Sequence, residues 1–350
     1  MSAPIRVSIL GATGYGGGEL LRLLLRAPEF RIAFATSRAK GGTPVGGVHR
    51  NLDGLTELCF SDPSREEIAE KSDVIIGALP HGASAETLSW FIDAGKRVID
   101  LSGDFRLRDA ESYKRWYEHD HPRPDLLARS VYGCTELNAE RIAGAQLVAA
   151  PGCFATAINL ALLPAASAGL LRGIPVVTGL TGSSGAGAEH TATTHHPTRA
   201  QTIRPYKVLK HQHTPEILQL AGDAGSALGG LSFIPISAPI VRGILVSVSA
   251  ELGGAMSQKE TAALYRDFYA KRGPFVKVLG DREPECGSIA GTNYAEVRAR
   301  VGEDGRLHVV ATIDNLLKGG AGQGVESLYL MHGLDPAAAT SPLSWPGMWP

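Results

Sequence analysis

Ile5-Arg6-Val7-Ser8-Ile9-Leu10, then Gly11-Ala12-Thr13-Gly14-Tyr15-Gly16-Gly17-Gly18, then Glu19-Leu20-Leu21-Arg22-Leu23-Leu24-Leu25 is the stretch whose reading decides the fold. The first run reads as a buried parallel strand and the last as an apolar helix. Between them the glycines are spaced G-x-x-G-x-x-G, a variant of the G-x-G-x-x-G dinucleotide fingerprint. Glycines at such a turn let the backbone approach a pyrophosphate, and the N-terminus of the following helix holds it. A plain glycine-rich turn has the same composition, but strand, glycines and helix in this order favour a cofactor site. Gly11, Thr13, Gly14, Tyr15, Gly16 and Gly17 are its candidate residues.

The end of the next strand speaks to which cofactor. A site for NAD places Asp or Glu about 20 residues on, against the ribose 2′-OH. Here Arg31-Ile32-Ala33-Phe34-Ala35 ends in Thr36-Ser37-Arg38-Ala39-Lys40, with hydroxyls and cations but no carboxylate. That suits a 2′-phosphate, so NADP(H) is expected, with Thr36, Ser37 and Arg38 around it. A solvated basic turn is the alternative.

Beyond this turn, strands alternate with helices up to Cys153. Glu57–Phe60, Asp73–Pro80, Arg97–Leu101 and Gln146–Ala150 read as strands, with a helix near Ala83 to Ala94. Such alternation predicts an α/β, parallel, doubly wound sheet. Beyond it, Pro175–Thr181, Leu231–Ala238, Gly243–Glu251, Asn293–Arg300 and Leu307–Ile313 resemble strands of a mixed or antiparallel sheet. Only Ser257–Arg272 is clearly helical there, and the inference is a second, α+β domain. The boundaries are 1–152 for the Rossmann-type cofactor domain, completed by a helix at about 320–333, 153–319 for the second domain, and 334–350 for a Pro- and Trp-rich irregular arm.

The 350 residues carry a net charge of −1 and are 44% hydrophobic, an ordinary globular balance with no global basic excess to suggest nucleic acid. No apolar run approaches a membrane span. The N-terminal apolar residues belong to the first strand rather than a signal segment. The four cysteines are scattered, which argues against zinc or a disulfide framework and suits a cytoplasmic protein.

One of those cysteines sits in Ala150-Pro151-Gly152-Cys153-Phe154-Ala155-Thr156, between a strand and the helical run Ala157–Leu163. Unsatisfied backbone N–H groups and the helix dipole favour a thiolate there, and a thiolate attacks acyl carbons. A buried small hydrophobe is the plainer account of a lone cysteine. His211 and His213 bring groups that titrate near neutrality. At i, i+2 they could also be metal ligands or a solvated turn, but no third ligand clusters with them and no metal is expected. Gly182–Gly187 could offer N–H groups and hydroxyls as an anion nest, Ser183, Ser184 and Gly185 among them. Arg106 and Lys207 could supply charge. A salt bridge to Asp104 or Asp109 is the other reading of Arg106.

Gly11–Gly17 and Pro151–Thr156, taken together, resemble the signatures of the type 1 N-acetyl-γ-glutamyl-phosphate reductase family of arginine biosynthesis. Asp100–Arg106, Tyr132–Asn138, Gly182–Gly187, His211–Ile217 and Asp314–Gly319 match further stretches of the family in order. Thr135 stands where the family commonly has Pro, and Gln212 where it often has Arg. The resemblance implies a second domain of the aldehyde-dehydrogenase type, like those of glyceraldehyde-phosphate and aspartate-semialdehyde dehydrogenases. It implies Cys153 as nucleophile toward a small acyl phosphate, NADPH as hydride donor and His211 as acid/base. It further implies Arg106, Tyr206, Lys207, His213 and Glu216 at the substrate and Asn315 near the nicotinamide, in a homo-oligomer, dimer or tetramer.

The segment His190–Lys210 carries Arg199, Arg204, Lys207 and Lys210 with no carboxylate after Glu189. Its His-His-Pro-x-Arg run resembles that of the close relatives that reduce an aminoadipyl phosphate held on an acidic amino-group carrier protein in lysine biosynthesis. A basic strip would suit that partner or a plain phosphate. Two other readings stand further off. One is an aspartate-semialdehyde or glyceraldehyde-phosphate dehydrogenase, disfavoured by the runs at 211–216 and 104–106; the other is a non-catalytic nucleotide-binding protein on the same fold.

Overall fold

A computed structural model describes residues 3–346. The chain divides into two compact units, residues 1–151 with 320–345, and residues 152–319. The terminal stretch 347–350 of the expected arm lies outside the described residues.

The first unit is built on seven strands: β1 (Ile5–Leu10), β2 (Phe30–Thr36), β3 (Phe60–Ser61), β4 (Val74–Gly77), β5 (Arg97–Asp100), β6 (Val131–Tyr132) and β7 (Leu147–Ala149). Their spatial order is β3-β2-β1-β4-β5-β7-β6, and every pair is parallel. The order reverses between β1 and β4, the switch point at which dinucleotides bind in such sheets. Val7, Ile9, Val74, Ile75, Ile76, Val98 and Ile99 are fully buried, as strands covered on both faces require. The stretch expected as a strand at Glu57–Phe60 pairs only at Phe60–Ser61, with a single bridge from Cys59 to Pro44. Before it, Leu58 N–H bonds the Thr56 hydroxyl at 3.1 Å. The last helix, Gly322–Met331, packs on the helices Tyr15–Leu24 and Thr135–Ala143 and on β5. After it the chain closes with a short turn, Pro342–Ser344, whose Leu343 is buried, and the Arg26 guanidinium lies 4.6 Å over the Trp345 ring.

The second unit carries β8 (Leu171–Thr181), β9 (Arg204–Pro205), β10 (Ser232–Ser237), β11 (Ile244–Leu252), β12 (Val276–Val278), β13 (Ala295–Val301) and β14 (Leu307–Ile313). They form one mixed sheet, β12-β13-β14-β11-β8-β10-β9, in which β8–β10 and β12–β13 are parallel and the other pairs antiparallel. The helices Cys153–Ser167 and Gln258–Arg272 cover one face. Burial along β8 and β11 alternates, and the opposite face leaves Ile174 and Val176 exposed. A helix that the sequence reading passed over, Thr214–Asp223, packs on the Cys153 helix through Ile217 and Leu220.

The Cys153 helix is apolar all round and buried from Phe154 to Ala166, although Pro164 lies inside it. Proline has no N–H for the carbonyl four residues back, which is Leu160. The Tyr269 hydroxyl donates to Leu160 O in its stead, and the Tyr265 hydroxyl donates to Ala161 O at 2.6 Å. Two tyrosines of the Gln258 helix thus complete the backbone of the helix that carries Cys153.

Candidate functional site

In the first unit the glycine loop follows β1 as its sequence demands. Gly11 has φ +80°, and a Cβ there would stand 2.5 Å from Ala78 O; a Cβ on Gly17 would stand 2.6 Å from Ala12 Cα. Only glycine lets this loop lie so close to its neighbours. Gly14 caps the helix Tyr15–Leu24 without a side-chain bond, so the first-turn N–H groups of Tyr15, Gly16 and Gly17 have no acceptor inside the helix. Bare donors over a tightly packed glycine turn fit a pyrophosphate. Thr36 closes the cradle from the side, its carbonyl accepting Ala12 N–H at 3.1 Å. Ser37 follows, bonded through its N–H to Ser61 O, and Arg38 is exposed. The sequence reading missed His49. Its Nε2 donates to Ala12 O at 2.8 Å, and its ring stands where any side chain at position 18 would go.

Further along the same sheet, Asp100 ends β5 fully buried. It accepts from the Ser84 hydroxyl at 2.6 Å and from the Ser102 N–H and hydroxyl. Burial, opposed by these serine bonds, raises its pKa to about 6. Arg106 is 5% exposed. Its Nε donates to Ala150 O at 2.8 Å and its Nη2 to Leu101 O at 2.9 Å. Asp104 accepts from Gly82 and Ala85 N–H, and Asp109 caps the helix Ala110–Tyr117. Arg106 therefore clamps the strand three residues before Cys153.

The second unit assembles the candidate catalytic groups. Cys153 is the first residue of its 15-residue helix, half-buried, with Gly152 as cap. Glu216, expected at the substrate, is fully buried and accepts Gly152 N–H at 3.0 Å, at the head of the Cys153 helix. The helix Thr214–Asp223 presents it there, with His213 at its cap. A Cβ on Gly152 would fall 2.2 Å from His213 Nε2, and one on Gly319 would fall 2.9 Å from Cys153 Cβ. Glycine at both positions lets the imidazole and the cysteine close in. The His211 and His213 rings lie 4.5 Å apart, edge to face, and Phe154, Tyr206 and Phe233 ring His211. His213 N–H donates to His211 Nδ1 at 3.2 Å. The neutral His211 ring therefore carries its proton on Nε2. Burial, and then the nearby Cys153 charge, push the Tyr206 hydroxyl above its ordinary range.

The glycine stretch 182–187 corrects its sequence reading. Gly182, Ser183 and Ser184 donate their N–H groups to Gly243 O, Ile240 O and Val241 O at 2.9–3.0 Å, and Gly187 N–H bonds Ser184 O. These amides are spent on protein carbonyls, so the stretch is not an anion nest. The Ser184 hydroxyl donates to Val241 O at 2.7 Å and accepts from Asn315 Nδ2 at 3.0 Å, while Asn315 Oδ1 accepts Gly243 N–H. Asn315, expected at the nicotinamide, is a buried tie between two loops; Gly185 stays exposed and Ser183 half-buried. Asp314 beside it caps the π-helical turn Leu317–Ala321 through Leu316 and Leu317 N–H and pairs with Arg242. Both departures from the family pattern are in use. Thr135 bonds Glu326 at 2.7 Å, and Gln212 accepts from Lys207 at 2.8 Å. Lys207, at φ +44°, and Lys210 are exposed. Arg199, expected on the same outward strip, is buried.

Residues 6–145 match the family model described as "Semialdehyde dehydrogenase, NAD binding domain", and residues 153–315 match "Semialdehyde dehydrogenase, dimerisation domain". The chain is 44% identical to an N-acetyl-gamma-glutamyl-phosphate reductase of Thermus thermophilus, over 98% of this chain and 100% of that one. It is 39% identical to a [LysW]-L-2-aminoadipate 6-phosphate reductase of Deinococcus radiodurans, over 95% of each. The fold matches that of aspartate semialdehyde dehydrogenase II from Vibrio cholerae. The TM-score is 0.73 at 19% identity, over 95% of this chain and 99% of that one.

Proposed function

The chain belongs to the family of N-acetyl-gamma-glutamyl-phosphate and LysW-aminoadipate phosphate reductases, and we propose from that premise that it reduces N-acetyl-γ-glutamyl phosphate to N-acetylglutamate 5-semialdehyde and phosphate. It is an oxidoreductase that uses a nicotinamide dinucleotide. The observation that carries the substrate chemistry is the head of the Cys153 helix. Glu216 and His213 both press on Gly152 there, which fixes a cysteine at a helix N-terminus beside His211.

The Cys153 sulfur attacks the acyl carbon, the bond to the phosphate oxygen breaks, and the thiol proton ends on the departing phosphate. A thioester remains on Cys153. Bound NADPH supplies the hydride that reduces it. His211, with its proton on Nε2, donates to the oxygen that bears charge at each tetrahedral stage. That oxyanion collapses by breaking the C–S bond, freeing the semialdehyde and the thiolate, which takes up one proton per turnover. Arg106 keeps the strand before Cys153 in place.

The turn Thr36-Ser37-Arg38, free of carboxylates and bonded to the glycine loop, supports NADPH over NADH. The exposed Ile174 and Val176 on the uncovered sheet face support pairing with a second copy. A second reading, an acidic carrier protein presenting aminoadipyl phosphate, draws support from the exposed Lys207 and Lys210 beside half-buried Arg204.

The test is phosphate-dependent reduction of NADP+ by N-acetylglutamate semialdehyde, with aspartate semialdehyde as control. Turnover is expected with the first aldehyde only. Cys153→Ser should abolish it and leave NADPH binding intact, and substantial activity in that variant removes the thioester route. Failure of the free substrate, with efficient turnover of carrier-bound aminoadipyl phosphate, selects the second reading.

A further inference from the structure

Arg199 ends the short turn His196–Arg199 and is only 8% exposed. Its guanidinium donates to Ala238 O and, at 3.4 Å, to Thr202 O. Ala238 directly follows β10, and its own N–H bonds Thr181 O at the end of β8. The guanidinium thus sits over the C-terminal ends of a parallel strand pair, where the chain turns into the 182–187 loop. Among the described residues no carboxylate pairs with it. A guanidinium presents five N–H donors in a fixed fork, and two carbonyls leave part of that fork uncommitted. A buried cation answered only by carbonyl dipoles is poorly compensated. Carboxylate and phosphate groups match the fork in geometry and charge.

Its surroundings tie it to the nucleophile. The Tyr206 ring lies 5.8 Å from that of His211. The Tyr206 hydroxyl feels the charges of both Cys153 and Arg199. The charged and titratable groups that act on Arg199 are Arg204 and Tyr206, and burial followed by the like charge of Arg204 holds the guanidinium below its usual range. Buried as it is, Arg199 has no surface to offer a docking protein.

We infer that Arg199 binds an oxyanion of the substrate, either the phosphate that leaves or the carboxylate borne by the amino-acid part. The inference rests on the acyl-phosphate reading above, and the experiment separates the two. Wild-type protein is first assayed with N-acetylglutamate semialdehyde, NADP+ and inorganic phosphate. Absence of phosphate-dependent turnover there overturns the proposed reaction, whatever Arg199 does. Given turnover, Arg199→Gln should raise one KM by roughly 30-fold or more, as loss of a charged fork implies, with an unchanged melting temperature. A rise confined to phosphate assigns the leaving group. A rise confined to the semialdehyde assigns the carboxylate. In that case 4-acetamidobutanal, the same chain without the carboxylate, should be used equally well by variant and parent. Both KM values within about two-fold of the parent overturn the inference, as does a fall in kcat alone, which would mark a positioning role. Should Arg199→Gln not fold, Arg199→Lys decides, because it keeps the charge and loses the fork. About a five-fold rise in one KM is expected there, and two unchanged values overturn the inference.

Discussion

Two glycine-rich stretches follow strands in this chain, Gly11–Gly18 after β1 and Gly182–Gly187 after β8, and they do opposite things with their amides. The first opens a ten-residue helix whose leading N–H groups have no acceptor within it, and at Gly11 and Gly17 neighbouring backbone comes within 2.6 Å of where a Cβ atom would be. The second makes a single 3-10 turn and gives its amides to the carbonyls of 240–243. Composition is similar in both. The difference lies in the partners of the amides: the first loop's leading N–H groups have no acceptor within their helix, whereas a second loop, tied by Asn315 and Ser184, lies beside the other. A glycine run marks close approach, and only the fate of its N–H groups says whether the approaching body is a ligand or the protein itself.

Gly11→Ala forces a Cβ to 2.5 Å from Ala78 O at φ +80°. NADPH affinity should fall by about 100-fold or more, as a strain of a few kcal/mol on the binding loop implies. A fluorescence titration that finds near-parental affinity would deny the first loop its role. Gly182→Ala meets Val241 O at 2.5 Å, an equal clash, yet here the expected loss is of stability. The melting temperature should drop while NADPH affinity stays within about two-fold, because the amides involved bind no cofactor.

The cofactor unit also holds a carboxylate, Asp100, whose pKa burial raises to about 6. A raised carboxylate pKa means that the folded state binds its proton more tightly than the unfolded chain. Stability from this group is therefore present at about pH 4 and lost as pH rises through about 6. Relative to Asp100→Asn, the parent should lose about 2 kcal/mol of unfolding free energy between pH 4 and pH 7. A flat difference in urea titrations across that window would contradict the assignment. The smallest expected effect is at Arg38. Arg38→Ala should cut the preference for NADPH over NADH by about tenfold, worth roughly 1.4 kcal/mol, through a higher KM for NADPH alone. A parent protein that uses both cofactors equally would leave the turn at 36–38 without a phosphate to hold.

The contrast between the loops is also a lesson in what could be read from residues alone. The parallel sheet was legible because its strands are apolar throughout and its glycine loop lies between two unmistakable periodic runs. The strands β6, β9 and β12, at two or three residues, are too short to show a period. The helix Thr214–Asp223 hides its apolar face, Ile217, Leu220 and Ala221, behind a run that reads as chemistry. Cys153, His211 and His213 were found at one place, by the logic of a nucleophile that needs a proton carrier. The partners of Glu216, Asn315 and Arg199 were not legible because each lies distant in sequence: Gly152 for Glu216, Ser184 and Gly243 for Asn315, Ala238 for Arg199. Nothing local to these residues says that they turn inward.

Pro164 gives the helix that carries Cys153 a dependence in time as well as in space. The carbonyl it leaves unbonded finds its donor in Tyr269, 109 positions further along the chain. A ribosome that has made the whole of Cys153–Ser167 has still not made the hydroxyls that finish its backbone. Closing so long a loop is slow to be repaid, and folds rich in such distant contacts form more slowly than those built from neighbours. The Cys153 helix should therefore reach its native protection against hydrogen exchange only after the Gln258–Arg272 helix has docked, and the setting of Cys153 is completed late in the protein's own assembly.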